Sequence, residues 1–281
     1  MLKEIFRMEL KKAMTNKMTL AAFAMVLALS LFHGVTAIVN YHDFYSYYIL
    51  KSGTENLMIT SESLFHRWIA SDVSSFPTST FYFMLPLIVA LPYGWSLASE
   101  IQSGYIKNMM VRTTRRNYFI SKYAANFVSA SLIAMIPLVL NFALLALFLP
   151  ALKMESIYPY GTIGQGCMWA AIYYEKPFAY CLLYLLLDGI FAGLIASICV
   201  AAAFVVRSKV IVIVIPFILM LMFDYIDANY LLSGEYSPMK FLQALPIAND
   251  CYGWAVAGIG MALLISTFGF LICKGHRYEV L

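Results

Sequence analysis

Apolar residues fall in six long continuous runs, at about 18–39, 79–99, 121–149, 178–206, 209–226 and 253–273. A helix crossing about 30 Å of hydrocarbon needs roughly 20 mostly apolar residues, so each run predicts a membrane-spanning helix. Barrel strands alternate instead of running continuously, which argues against a β-barrel. The fifth run is the shortest and closes at Asp224. The first is too long for a signal-peptide core and has no clear small-residue cleavage site, so it predicts a retained span. The pattern predicts an all-α polytopic membrane protein, one transmembrane domain over 1–281 with six transmembrane helices.

Composition agrees with the pattern. Of 281 residues, 62% are apolar and 12% charged, and the mean hydropathy is +0.77. A soluble domain carries roughly 25% charged residues, so too little polar surface is present for a water-soluble enzyme. The few charges are unevenly placed. With both termini inside, 14 of the 19 Lys and Arg side chains sit at cytoplasmic ends, in 1–17, 100–122, 207–209 and 274–281. That asymmetry predicts a cell-membrane protein with cytoplasmic termini and outer loops at 40–78, 150–177 and 227–252. The five cysteines show no metal-binding spacing. Cys167 and Cys251 fall in outer loops, where a disulfide between them is one option.

Two stretches at the cytoplasmic ends carry more information than topology requires. In 1–17, Leu2, Ile5, Phe6, Leu10, Ala13 and Met14 repeat at helical spacing, with Lys3, Arg7, Lys11 and Lys12 on much of the opposite side. This predicts a basic amphipathic helix in the membrane interface. Glu9 falls near the centre of the apolar stripe, so it either meets a protein surface or snorkels and pairs locally, for instance with Lys12. The loop 100–120 mixes polar and apolar residues. Ile101, Tyr105, Met109 and Val111 predict one face of a short helix parallel to the membrane.

Both elements resemble those of ABC-2 type permeases, the membrane subunits of ATP-driven exporters. The N-terminal stretch MELKKAMTNK has the family's acidic residue followed by lysines. The loop has an acidic residue, a glycine, a turn with a basic residue and a lysine opening the next span: Glu100, Gly104, Thr114, Arg115 or Arg116, and Lys122. Thr113–Thr114 replaces the family's frequent proline in that turn. The segment 237–250 is similar to the family's short re-entrant or outer helices. The resemblance implies a permease working as a dimer with itself or a related chain, above two cytoplasmic ATPase subunits that carry the ATP and Mg. This chain would bind no cofactor itself, and it has no GxxxxGK[ST] phosphate loop. The residues implied for ATPase coupling are Glu9, Glu100, Gly104, Arg112, Arg115, Arg116 and Lys122. Expected partners are those subunits and membrane lipids, with no nucleic acid.

Asp188 lies inside the fourth run, where a central charge costs about 2.5–3.5 kcal/mol. It is a candidate substrate-pathway residue. The run has 29 residues, about 43 Å as a helix, so Asp188 near the outer boundary, held by Tyr180 or Tyr184, is the preferred reading. His33 reads as a packed interfacial residue. Aromatics of the outer loops, Phe65, Trp68 and Trp169 among them, suit an interfacial belt. Gly189, Gly193 and Ser197 favour close helix contact, within the chain or across a dimer. Rival classes are weaker. An intramembrane enzyme lacks support because LLDGI and FDYID give no GxGD context and no HExxH occurs. A secondary transporter or channel would need inverted repeats or several paired intramembrane charges. A sensor or immunity module on the same architecture is indistinguishable from an exporter at this level.

Overall fold

A computed structural model describes residues 2–50, 62–154, 163, 167–230, 236–244 and 252–277. The described residues are helices and connecting turns. Leu2–Met14 forms α1, and Asn16 caps the next helix by accepting from the Met18 amide. That helix, α2, runs Lys17–Phe44 and widens into a π-helical turn at Tyr45–Leu50. A short helix α3 (Leu64–Arg67) precedes α4 (Phe76–Ala90), and α5 (Ser96–Gln102) and α6 (Tyr105–Arg112) follow. The long helices α7 (Arg115–Ala146) and α9 (Pro177–Ala202) flank the short α8 (Ala170–Glu175). Helix α10 (Lys209–Tyr230), short α11 (Pro238–Phe241) and α12 (Gly253–Arg277) complete the chain.

Among the described residues, five helices are long and apolar enough to cross a membrane: α2, α7, α9, α10 and α12. The chain is a membrane-embedded multi-pass protein on that ground. The predicted second span is not one continuous helix. It breaks after Ala90, turns through 91–95 and resumes as α5. Pro92 has no amide to donate, and its carbonyl takes side-chain donors from Asn16 and Thr19, each at 3.4 Å. Gly94 sits against Cys199, where a Cβ would lie 2.7 Å from the sulfur. The fifth run extends past Asp224 to Tyr230, and the returning segment supplies one contact to each of its carboxylates. Asp224 lies 3.4 Å from Lys240 Nζ, and buried Asp227 accepts the Ser237 amide at 2.9 Å.

The core centres on α7 and α9. The small residues of α9 face α7, so the close contact is within the chain. Gly189 packs against Met135, and a Cβ on Gly193 would lie 2.5 Å from the Phe127 ring. Ser131 donates to the Gly189 carbonyl at 2.6 Å, which fixes the register. At the other end of α7, Asn141 is a buried hub. Its amide donates to the Ser30 carbonyl (2.8 Å) and to His33 Nδ1 (3.1 Å), and its oxygen accepts the Ile69 amide (3.1 Å). His33 is therefore packed, as its position in the first run predicts, with Nε2 3.5 Å from Asp72. Trp68 donates to the Leu138 carbonyl at 3.0 Å. Phe65 and Trp68 thus belong to the protein core instead of a lipid-facing belt. Cys251 and the end of 237–250 lie outside the described residues, as does any Cys167–Cys251 pairing.

Gly193→Val forces the Phe127 ring out of its place and is expected to destabilise the chain by about 1–3 kcal/mol. Denaturant unfolding in detergent micelles measures this, with Gly258→Val on open α12 surface as the comparison expected to cost less.

Candidate functional site

The predicted coupling residues divide between two places. Glu9, Glu100 and Lys122 come together, although 113 residues separate the first from the last. Helix α1 lies along the start of α7, with Ala13, Tyr93 and Ala125 buried between them and Phe6 and Leu10 packed alongside. Glu9 points into that contact and is fully buried. Its place at the centre of the apolar stripe has a cause: the stripe faces protein here, and a cation waits beneath it.

That cation is Lys122, 1% exposed. Its Nζ lies 2.8 Å from Glu9 Oε2, 2.7 Å from Glu100 Oε1 and 3.0 Å from the Tyr93 hydroxyl. Three ammonium hydrogens meet three oxygens. Tyr93 donates its own proton to Glu9, and Tyr118 donates to Glu100. The Tyr93 ring also lies under the ammonium, 4.5 Å from its centroid. Lys12 completes the cluster from the rim, 3.1 Å from Glu9 and 3.9 Å from Glu100. Local pairing of Glu9 with Lys12 and burial against protein therefore both occur. Two carboxylates and two ammoniums balance, which is what permits burial. Burial pushes the Glu9 carboxyl upward, but Lys122, Tyr93 and Lys12 together hold it below its usual 4.5. Lys12 is likewise held above its usual value, its carboxylate partners outweighing partial burial.

The cluster joins α1, the broken second segment and α7. Its α5 arm leads to Gly104, whose positive φ of 71° sets the corner before α6. The buried face of α6 is Ile106 and Met109. The expected face holds at Met109 and, half-buried, at Ile101, whereas Tyr105 is exposed and Val111 is 89% exposed, because the helix starts after Gly104 and its phase follows that turn. A polar cavity of about 420 Å³ opens beside the cluster, lined by Lys12, Asn16, Trp95, Ser99, Glu100 and Tyr105 among others. Arg112 is exposed on α6. Arg115 and Arg116 stand apart, exposed at the start of α7 and lining a different cavity beside α12.

Asp188 sits near the middle of its 26-residue helix and is 1% exposed. Its partner is Tyr82 of α4, which donates to Oδ2 at 3.2 Å, while Oδ1 has no hydrogen-bond partner among the described residues. The outer-boundary reading is thus corrected in its details. Tyr180 is taken up by the Ala244 carbonyl, and Asp188 is held across the bundle by α4. Sequence reasoning missed Tyr93, Tyr118, Asn126 and Asn141. The tyrosines had no signal of their own, whereas an asparagine within an apolar run is itself a flag for buried hydrogen bonding. No group of His, Cys, Asp and Glu among the described residues has the arrangement to hold a metal ion. Comparison with models of known protein families, with curated proteins and with solved structures finds no match.

Two outcomes are expected of the cluster. Lys122→Met leaves two carboxylates without their buried cation and destabilises the chain by about 3–5 kcal/mol. Adding Glu9→Gln to it restores part of the loss, and equal unfolding midpoints for single and double variants would contradict the assignment. Glu9's folded pKa is depressed, so its stabilisation is present above about 4.5 and is lost as pH falls through the lower folded value. The protection factors of the amides of residues 2–14, taken against unfolded amides at the same pH, therefore fall below about pH 4.5. Protection in α1 that is unchanged at about pH 3 would refute it.

Proposed function

We propose that this chain is the membrane-spanning permease subunit of an ATP-driven exporter of the ABC-2 type. The observation that supports the reading most is the junction of Glu9, Glu100 and Lys122. These residues, which the family resemblance names for coupling, converge from α1, α5 and α7. In this reading, α6 and the polar cavity beside Lys12 and Tyr105 form the surface on which a cytoplasmic ATPase subunit docks, with Arg112 on its rim. Closure of the ATPase pair pushes the loop from Gly104. Because Glu100 is fastened to Lys122, the push passes to α7, and through α7 to α9. The rest of the architecture in this reading is six crossings with the broken α4–α5 segment as the second, cytoplasmic termini, α1 in the membrane interface and a second permease subunit alongside. The apolar cavity of about 640 Å³ between α9, α10 and α12 suits an amphiphilic substrate such as a peptide, antimicrobial, lipid or drug.

A second reading, an ATP-independent secondary transporter or channel, draws on Asp188, whose buried carboxyl has a tyrosine partner on one oxygen and none on the other among the described residues. In that class a protonatable intramembrane carboxyl carries the coupling ion.

Two measurements separate the readings. Purification in mild detergent is expected to bring down an ATP-hydrolysing subunit, and recovery of the chain with none counts against the exporter. In vesicles containing both subunits, Glu100→Ala is expected to lower ATP-driven export about 5- to 150-fold with insertion intact. Gradient-driven flux without ATP or partner, abolished by Asp188→Asn, would favour the second reading.

A further inference from the structure

At the same end of the bundle as the charge cluster, the first turns of α7 and the last turns of α12 enclose a cavity of about 630 Å³. Its lining is divided by chemistry. Phe119, Ile120, Leu271 and Ile272 make apolar walls, and Arg115 and Arg116 stand at one end. Phe119 and Leu271 are buried, whereas both guanidiniums are exposed and neither is ion-paired among the described residues. Among the described residues, no carboxylate lines the space. Lys274, also exposed, adds a further cation on the adjoining turn of α12. The floor is set by close backbone approach, since a Cβ on Gly275 would lie 2.8 Å from the Phe119 ring.

An arginine pair matches phosphate oxygens through its fixed donor forks. Phosphate alone, however, would leave the apolar walls without an occupant, and a neutral lipid would leave the guanidiniums without a counter-charge. The complement of an apolar slot ending in two guanidiniums is an amphiphile with an anionic phosphate and a hydrocarbon chain. The volume falls within the roughly 300–1,000 Å³ of ordinary ligand sites. Basic pockets between membrane helices select anionic lipids on the same physical grounds.

We propose that this cavity binds one anionic phospholipid, with its phosphate on Arg115 and Arg116 and an acyl chain between Phe119, Ile120, Leu271 and Ile272. The site depends on membrane embedding and not on the exporter reading, so it stands or falls separately. An occupied site clamps the beginning of α7 to the end of α12. Because α7 also carries Lys122, the content of anionic lipid bears directly on the charge cluster.

The test is native mass spectrometry of the full chain released from mild detergent with phosphatidylglycerol or phosphatidylcholine of identical acyl chains. Phosphatidylglycerol is expected to be retained about tenfold more. The double variant Arg115→Ala/Arg116→Ala is expected to abolish that preference, while Arg112→Ala, outside the cavity, keeps it. Ile272→Trp fills the slot without touching the arginines and is expected to lower retention severalfold. Equal retention of the two lipids, equal loss in Arg112→Ala, or displacement by millimolar inorganic phosphate with Ile272→Trp silent would each overturn the proposal.

Discussion

A buried ammonium is tolerable only where negative charge and hydrogen-bond acceptors reach all of its donors, and Lys122 imposes that requirement on three separate parts of the chain. Glu9 must come from α1, Glu100 from α5, and Tyr93 from the turn between α4 and α5. Each carboxylate is held again by a tyrosine, so the arrangement is a closed network rather than a single pair. Desolvation of such charges costs several kcal/mol per ion, and only near-complete satisfaction offsets it. Such a network is intolerant of partial assembly. It specifies where α1 lies, where the second segment bends and how α7 begins.

Helix α7 repeats this logic along its length with neutral groups. Asn141 ties it to α2 and to the loop before α4, and Asn126 donates to the Ala196 carbonyl of α9 at 2.8 Å. Between these points the glycines of α9 let the two helices meet closely. Helices α10 and α12 are less enclosed, most of their apolar stretches being unburied, whereas half or more of those of α7 and α9 is buried. The most enclosed helices thus lie at the centre, and those with the most apolar surface left for lipid lie outside.

Much of this was legible from residue order alone, and the failures have specific causes. Continuous apolar runs located the long helices because burial in hydrocarbon demands length before anything else. The run at 79–99 misled because hydropathy does not register the missing amide of Pro92 or the close approach of Gly94. Glu9 was visible as a violation of its own helical stripe, but its partner lies 113 residues away, beyond any local pattern. Lys122 was visible as one of the basic residues at a helix end, and its coupling role only through resemblance. Asp188 was visible, while Tyr82, from another helix, was not. Phe65 and Trp68 suited a membrane interface by composition, yet the Leu138 carbonyl gave the indole a partner inside the protein. The phase of α6 depended on one glycine turn, which kept Met109 buried but brought in Ile106 and left Tyr105 and Val111 exposed.

The Asn126 bond has a temporal side. Its acceptor, Ala196, is made 70 residues later. At roughly 5–20 residues per second, synthesis separates the two by several seconds. During that interval α7 is in the membrane with a carboxamide that has nothing to hold, whereas Asn141 can already reach Ser30 and His33 of the earlier α2. The two asparagines therefore mature at different times. The Asn141 end of α7 can thus be fastened first, and the Asn126 bond waits for α9.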